Sequence, residues 1–139
     1  MIRRLNHELV LSLLPDRNPW GHKGNFGKLL LLCGSRGYTG AAFFAAMGAL
    51  RAGAGLVFLG VPESIYGIEA VKLNEPVIFP LPDAGGRLSA DAVPEILTRL
   101  PQMDAVLVGP VWGSPRERWR WSGRCWKKRN ARWSWMQTA

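Results

Sequence analysis

Three glycines at regular spacing follow the first strongly apolar run of the chain, in Gly34-Ser35-Arg36-Gly37-Tyr38-Thr39-Gly40-Ala41. Glycine lets backbone approach a ligand with no Cβ in the way. The Ala-rich segment from Ala41 to Ala52 reads as a helix. Its first N–H groups have no helical partner and carry a partial positive charge, which suits a phosphate. Gly34, Ser35, Gly37, Tyr38 and Gly40 are therefore candidates for a phosphate or ligand loop, with Arg36 able to add a full charge. The spacing is not a dinucleotide fingerprint, and it lacks the Gly-Lys-Ser/Thr ending of a Walker loop. A tight strand-to-helix turn with glycines for packing explains the same residues. Upstream, in His22-Lys23-Gly24-Asn25-Phe26-Gly27, His22 and Lys23 are candidate contacts for an anionic ligand. A solvated connection with a glycine turn is the plainer reading there. Val108-Gly109-Pro110 reads, alone, as a turn.

Other chemistry is harder to assemble. Glu63, Glu69, Glu75, Asp83, Asp91 and Glu95 fall on expected helices and turns, where a solvated face explains them. No Ser-His-Asp set or paired carboxylates can be argued, so no catalytic residue is named. Cys33 and Cys125 lack metal-ligand spacing, so no metal site is expected. Cys33 reads as a small apolar residue ending a strand.

The loops need elements to hold them. Residues 2–14 read as a short amphipathic helix that ends before Pro15. The apolar runs at 28–33, 56–61 and 104–108 show no alternation, which suits strands covered on both faces. Ala41–Ala52 is apolar nearly all round and predicts a buried helix. Pro62–Lys72 opens with Pro and an acid, as helices do. Pro76–Leu81 predicts an edge strand, because Pro cannot donate to a ladder. Pro82–Leu88 predicts a turn, and Ser89 an N-cap for a helix to about Leu100. Strand and helix alternate, which is the pattern of an α/β domain with a mostly parallel sheet flanked by helices.

The 139 residues suffice for one small domain. The net charge of +8 is concentrated at one end. Residues 1–110 hold ten Lys/Arg and nine Asp/Glu, whereas residues 111–139 hold eight Lys/Arg against Glu117 alone. Six of the seven Trp also lie in 111–139, so this basic tail is expected to be a segment apart and disordered. No apolar run approaches the ~20 residues that span a bilayer, so no membrane partner is expected. The N-terminus does not read as a signal peptide, which makes the cytoplasm the default location.

Several motifs gain meaning from their order. HKGNFGKLLLLCGS (22–35), GYTGAA (37–42), ALRAGAGLV (49–57), the Pro62-Glu63 helix start and DAVLVGP (104–110) resemble the start of the ADP-dependent NAD(P)H-hydrate dehydratase domain, of the ribokinase-like superfamily. The resemblance covers residues 1–110. It implies a partial, truncated ribokinase-like (Rossmann-like) sheet. It also implies metabolite repair: hydrated NADH or NADPH is the substrate, ADP or ATP the phosphoryl donor and Mg²⁺ a helper. The intact family protein is expected to be a homo-oligomer. Ala41 matches a family position lining the hydrated-coenzyme site. Gly109 matches the first Gly of the family's Gly-Pro-Gly-Leu-Gly segment, whose second Gly is replaced by Val111. The family's later His loop, Lys-Gly nucleotide segment and Gly-Thr-Gly-Asp turn with its catalytic Asp have no counterpart. This chain is therefore expected to be inactive by itself.

The departure after Pro110 has a simple genetic explanation. Codons GGN CCN GGT CTG GGN, with one G lost from the third, translate as the observed Gly109-Pro110-Val111-Trp112-Gly113. Arg and Trp are also what out-of-frame reading of a GC-rich gene yields. Two alternatives stand: a nucleic-acid-binding protein acting through the Arg/Trp tail, or a fragment of another ribokinase-like kinase. The HKGNFG and GYTGAA segments fit the dehydratase better, and nucleic acid is disfavoured as a partner.

Overall fold

The computed structural model describes residues 6–14 and 16–109, together with the backbone of 134–135. In chain order the elements are α1 (His7–Leu13), a 3₁₀ turn at Lys23–Phe26, β1 (Lys28–Leu32), α2 (Thr39–Arg51), β2 (Leu56–Pro62), α3 (Glu63–Lys72) and β3 (Val77–Leu81). There follow the short strands β4 (Asp83–Ala84) and β5 (Arg87–Leu88), then α4 (Val93–Arg99), β6 (Ala105–Val108) and β7 (Ser134–Trp135). The sheet has the order β3-β2-β1-β6-β7 and is parallel throughout. Of the 111–139 tail, only β7 falls among the described residues, and it pairs with the free side of β6.

The missing alternation in β1 follows from its central place. Leu30 and Leu32 point to a core shared with Ile96 of α4 and Val106 of β6. Leu31 and Cys33 point to the opposite core, against Ala42 and Ala46 of α2 and Ile65 of α3. Both faces are thus covered, as expected of a parallel strand. The crossovers β1–α2–β2 and β2–α3–β3 lie on one face. The β3–α4–β6 crossover lies on the other and carries the chain past β2 to the far side of β1. The strand order therefore reverses between β1 and β6, where ligands of open α/β sheets bind at the carboxyl ends.

The expected edge strand is confirmed as β3, where Pro80 is paired with Val61 and the outer side has no neighbour among the described residues to supply. Ser89 Oγ accepts from Asp91 N–H at 3.2 Å and caps the turn that leads into α4. The segment predicted as a turn is a hairpin, β4 against β5, because Gly85 and Gly86 take φ of 62° and 79°. Two such glycines form the tight loop that matches strand twist.

Two expectations are corrected. First, α2 is not buried: among its residues only Ala42 and Ala46 are, and Phe44 is 73% exposed. Small side chains bring one face onto the sheet, and no further layer covers the other among the described residues. Second, Glu69 is not solvated. It is 0% exposed, and neither carboxylate oxygen has a hydrogen-bond partner among the described residues. Ile65, Glu69 and Leu73 recur every fourth residue and form the stripe that α3 turns toward the core. Burial raises the Glu69 carboxyl pKa, and the charge of Lys72 offsets part of the rise.

Candidate functional site

The carboxyl ends of β1 and β6 are side by side. Leu32 is in register with Val108, and Gly109 N–H donates to the Leu32 carbonyl at 3.1 Å. Gly109 has a φ of 142°, a conformation that L side chains rarely adopt. From β1 the chain turns through Gly34, at φ 85°, where a Cβ would lie 2.9 Å from that of Ala42 and 3.1 Å from Ile65. Gly34 is therefore a packing glycine: the turn can enter α2 only without a side chain there. Ser35 is 2% exposed, and its carbonyl accepts from Tyr38 N–H at 2.8 Å across a turn that includes Gly37 at φ 83°. Tyr38 is 59% exposed and offers no side-chain acceptor to the first amides of α2. Gly40 and half-buried Ala41 lie in that first turn, and a Cβ on Gly40 would meet only Phe44, at 3.8 Å. The structure thus gathers Gly34, Ser35, Gly37, Tyr38, Gly40, Ala41 and Gly109 at one end of the sheet. Ala41 N–H donates to the Tyr38 carbonyl at 3.3 Å, while the amides of Thr39 and Gly40, with no side-chain cap at the helix N-terminus, can receive an anion.

Lys72 joins this end, although no local pattern marks it. Its Nζ donates to Thr39 Oγ1 at 3.1 Å, which places a cation at the first residue of α2. His22 and Lys23 do not join it. They lie before β1, at its amino end, roughly 13 Å from the glycine loop along the strand. His22 Nδ1 accepts from Gly24 N–H at 3.1 Å, and Asn25 Oδ1 accepts from His22 N–H at 3.0 Å. This capping box closes a 3₁₀ turn. The turn docks where Phe26 and Gly27 carbonyls accept from Gly55 and Leu56 N–H, both at 3.0 Å. The placement of these two residues is explained by structural contacts and is removed from the ligand loop.

Beneath the loop, Cys33 is fully buried, and burial pushes its thiol up to about 12, with Glu69 adding to the rise. Such a thiol has almost no thiolate at neutral pH. We expect iodoacetamide at pH 8 to leave Cys33 unlabelled in the folded chain and to label it in urea, read by peptide mass spectrometry. Labelling of the folded chain at the rate of a free thiol would contradict the burial. Among the described residues no three His, Cys, Asp or Glu side chains gather to hold a metal. None of the described residues is assigned to Mg²⁺. No helix among them is long and apolar enough to cross a membrane.

A parallel sheet between helical layers, with its strand order reversing between β1 and β6, makes this a doubly wound α/β domain, and its solved neighbours place the fold as ribokinase-like. A crystal structure of a ribokinase-like superfamily protein from Enterococcus faecalis shares this fold, with a TM-score of 0.72 and 18% identity over 94% of this chain and 43% of its own. The chain itself belongs to the NAD(P)H-hydrate dehydratase family, whose model matches residues 29–131 and so runs past Pro110. It is 46% identical over 100 residues to a bifunctional NAD(P)H-hydrate repair enzyme of Moorella thermoacetica, covering 71% of this chain and 19% of the relative. It is 37% identical to an ADP-dependent (S)-NAD(P)H-hydrate dehydratase of Bacillus subtilis, covering 74% of this chain and 34% of the relative. It is also 37% identical to an ATP-dependent (S)-NAD(P)H-hydrate dehydratase of Ixodes scapularis, covering 78% of this chain and 32% of the relative. The chain thus spans about a fifth to a third of the length of these curated relatives.

Proposed function

We propose that the 34–41 loop and Gly109 form part of the hydrated-coenzyme site of a nucleotide-dependent NAD(P)H-hydrate dehydratase. The reaction returns damaged NADH or NADPH to the working coenzyme. ADP or ATP gives its terminal phosphoryl group to the hydroxyl of the hydrated ring. Inorganic phosphate then leaves with a ring proton, and the double bond is restored. The observation that carries the reading is that Gly109 and the loop that leads from β1 to Ala41, which hold the two family-matched positions, lie at the same carboxyl end of the sheet, at the β1/β6 reversal. Here the chain supplies shape and backbone dipoles: glycines admit close approach, and the α2 amides face negative charge. No catalytic base is assigned among these residues. By itself the 139-residue chain is proposed to be inactive, and no turnover of hydrated NADH with ADP or ATP and Mg²⁺ is expected.

Gly40→Val tests the site cleanly. A Cβ at this position makes only an ordinary contact with Phe44 and the φ is not left-handed, so the fold tolerates the side chain, while the branched group fills the approach to the α2 amides. In a protein extended with the family's downstream segments, we expect at least about a tenfold loss of affinity for hydrated NADH, or ~1.4 kcal/mol. Unchanged affinity by calorimetry would overturn the reading. The tail after Pro110 is proposed to be read out of frame. If so, another frame downstream of codon 110 encodes the His loop and the Gly-Thr-Gly-Asp turn; if none does, the tail is genuine.

A further inference from the structure

Three successive carboxyl-end connections meet at the β4–β5 hairpin. After β1, Arg36 N–H donates to the Gly86 carbonyl at 2.7 Å. After β2, Ser64 N–H at the start of α3 donates to Asp83 Oδ2 at 2.9 Å. After β3, Ser89 N–H donates to the Pro82 carbonyl at 2.9 Å and closes the hairpin base. Among the described residues, apart from the bond from Ala41 N–H of α2 to the Tyr38 carbonyl, the Arg36–Gly86 bond is the one backbone hydrogen bond that joins residues 34–38 to another element. A loop with glycines at 34 and 37 loses much freedom on ordering, so a bond from outside matters to its shape.

The contact leaves no room to spare. A Cβ on Gly86 would overlap that of Arg36 and come within 3.1 Å of its Cδ. Gly85 has a similar positive φ, yet a Cβ there meets nothing within 4 Å. The two neighbours therefore separate turn strain from docking.

We propose that the Asp83–Leu88 hairpin is a strap that fixes the backbone of the 34–41 loop, with Gly86 as its positioning residue. Its consequence for ligand binding rests on reading that loop as the coenzyme site. The test is amide hydrogen exchange by NMR on the full ¹⁵N-labelled chain, with Gly86→Ala, Gly85→Ala and the double variant Gly86→Ala/Arg36→Gly. Gly86→Ala is expected to speed exchange at the residue 36 amide about tenfold, the scale of one lost hydrogen bond. Gly85→Ala is expected to leave it within about twofold. The double variant removes the Arg36 side chain that the added methyl group would strike, and it is expected to restore protection. Unchanged protection in Gly86→Ala overturns the strap. So does equal loss in Gly85→Ala, or no recovery in the double variant, including the case where Gly86→Ala does not fold. Titration with hydrated NADH decides the other part separately. Weaker binding by Gly86→Ala supports a role in the site, whereas lost protection with unchanged binding keeps the strap and overturns the loop as the coenzyme site.

Discussion

Gly55→Ala is expected to destabilise the chain by about 3 kcal/mol or more, near the upper end for a single added methyl group. Gly55 stands just before β2, where the 22–27 turn docks. A Cβ there would overlap the Lys23 carbonyl oxygen and lie 2.9 Å from its carbon and 3.0 Å from Phe26 Cβ. Most of these atoms belong to backbone, so no rotamer change relieves the clash. The turn must lift, and with it go the bonds from Gly55 and Leu56 N–H to Phe26 and Gly27, which align the amino ends of β1 and β2. Urea melts of parent and variant check this. An unchanged midpoint would show that the turn is not seated on Gly55.

The second large effect has the opposite sign. Glu69→Met is expected to stabilise the fold by about 1–3 kcal/mol at neutral pH, because a buried acceptor with no partner among the described residues is replaced by an unbranched apolar chain. The groups whose charges act on or respond to this carboxyl are Lys72 on its own helix and Cys33 just after β1. Burial raises the folded-state pKa above the ordinary value of 4.5. Folding therefore favours the protonated form. The stability linked to Glu69 is fully present below the unfolded value and is lost as pH rises through the folded one. The gain from Glu69→Met should thus be larger at pH 8 than at pH 4.5. A gain that shrinks as pH rises would contradict the burial of an unpaired carboxyl.

The strands were legible because their environment is uniform. Leu29–Leu32, Leu56–Val61 and Ala105–Val108 are apolar at every turn of the pleat, apart from Gly60, and only a doubly covered sheet asks for that. The glycine loop was legible because it follows the first of them. His22 and Lys23 stand out as candidate anion contacts beside glycines, and that composition carries no information on sheet end; a segment that precedes a strand lies at its amino end, away from the loop that follows it. Gly85-Gly86 carries the hairpin signature, though it registers only as a turn until its flanks are seen to pair. Glu69 shares its spacing with Ile65 and Leu73, but a carboxylate is so rarely buried alone that its charge outweighs its position. The Lys72–Thr39 contact joins residues 33 apart, and local patterns hold no trace of it.

Amide shifts recorded while hydrated NADH is added to the ¹⁵N-labelled chain test the placement of the site most directly. Shifts confined to residues 34–41 and 107–109, with residues 22–27 unmoved, are the expected result. Shifts centred on His22 and Lys23, or none at the carboxyl ends of β1 and β6, would contradict it.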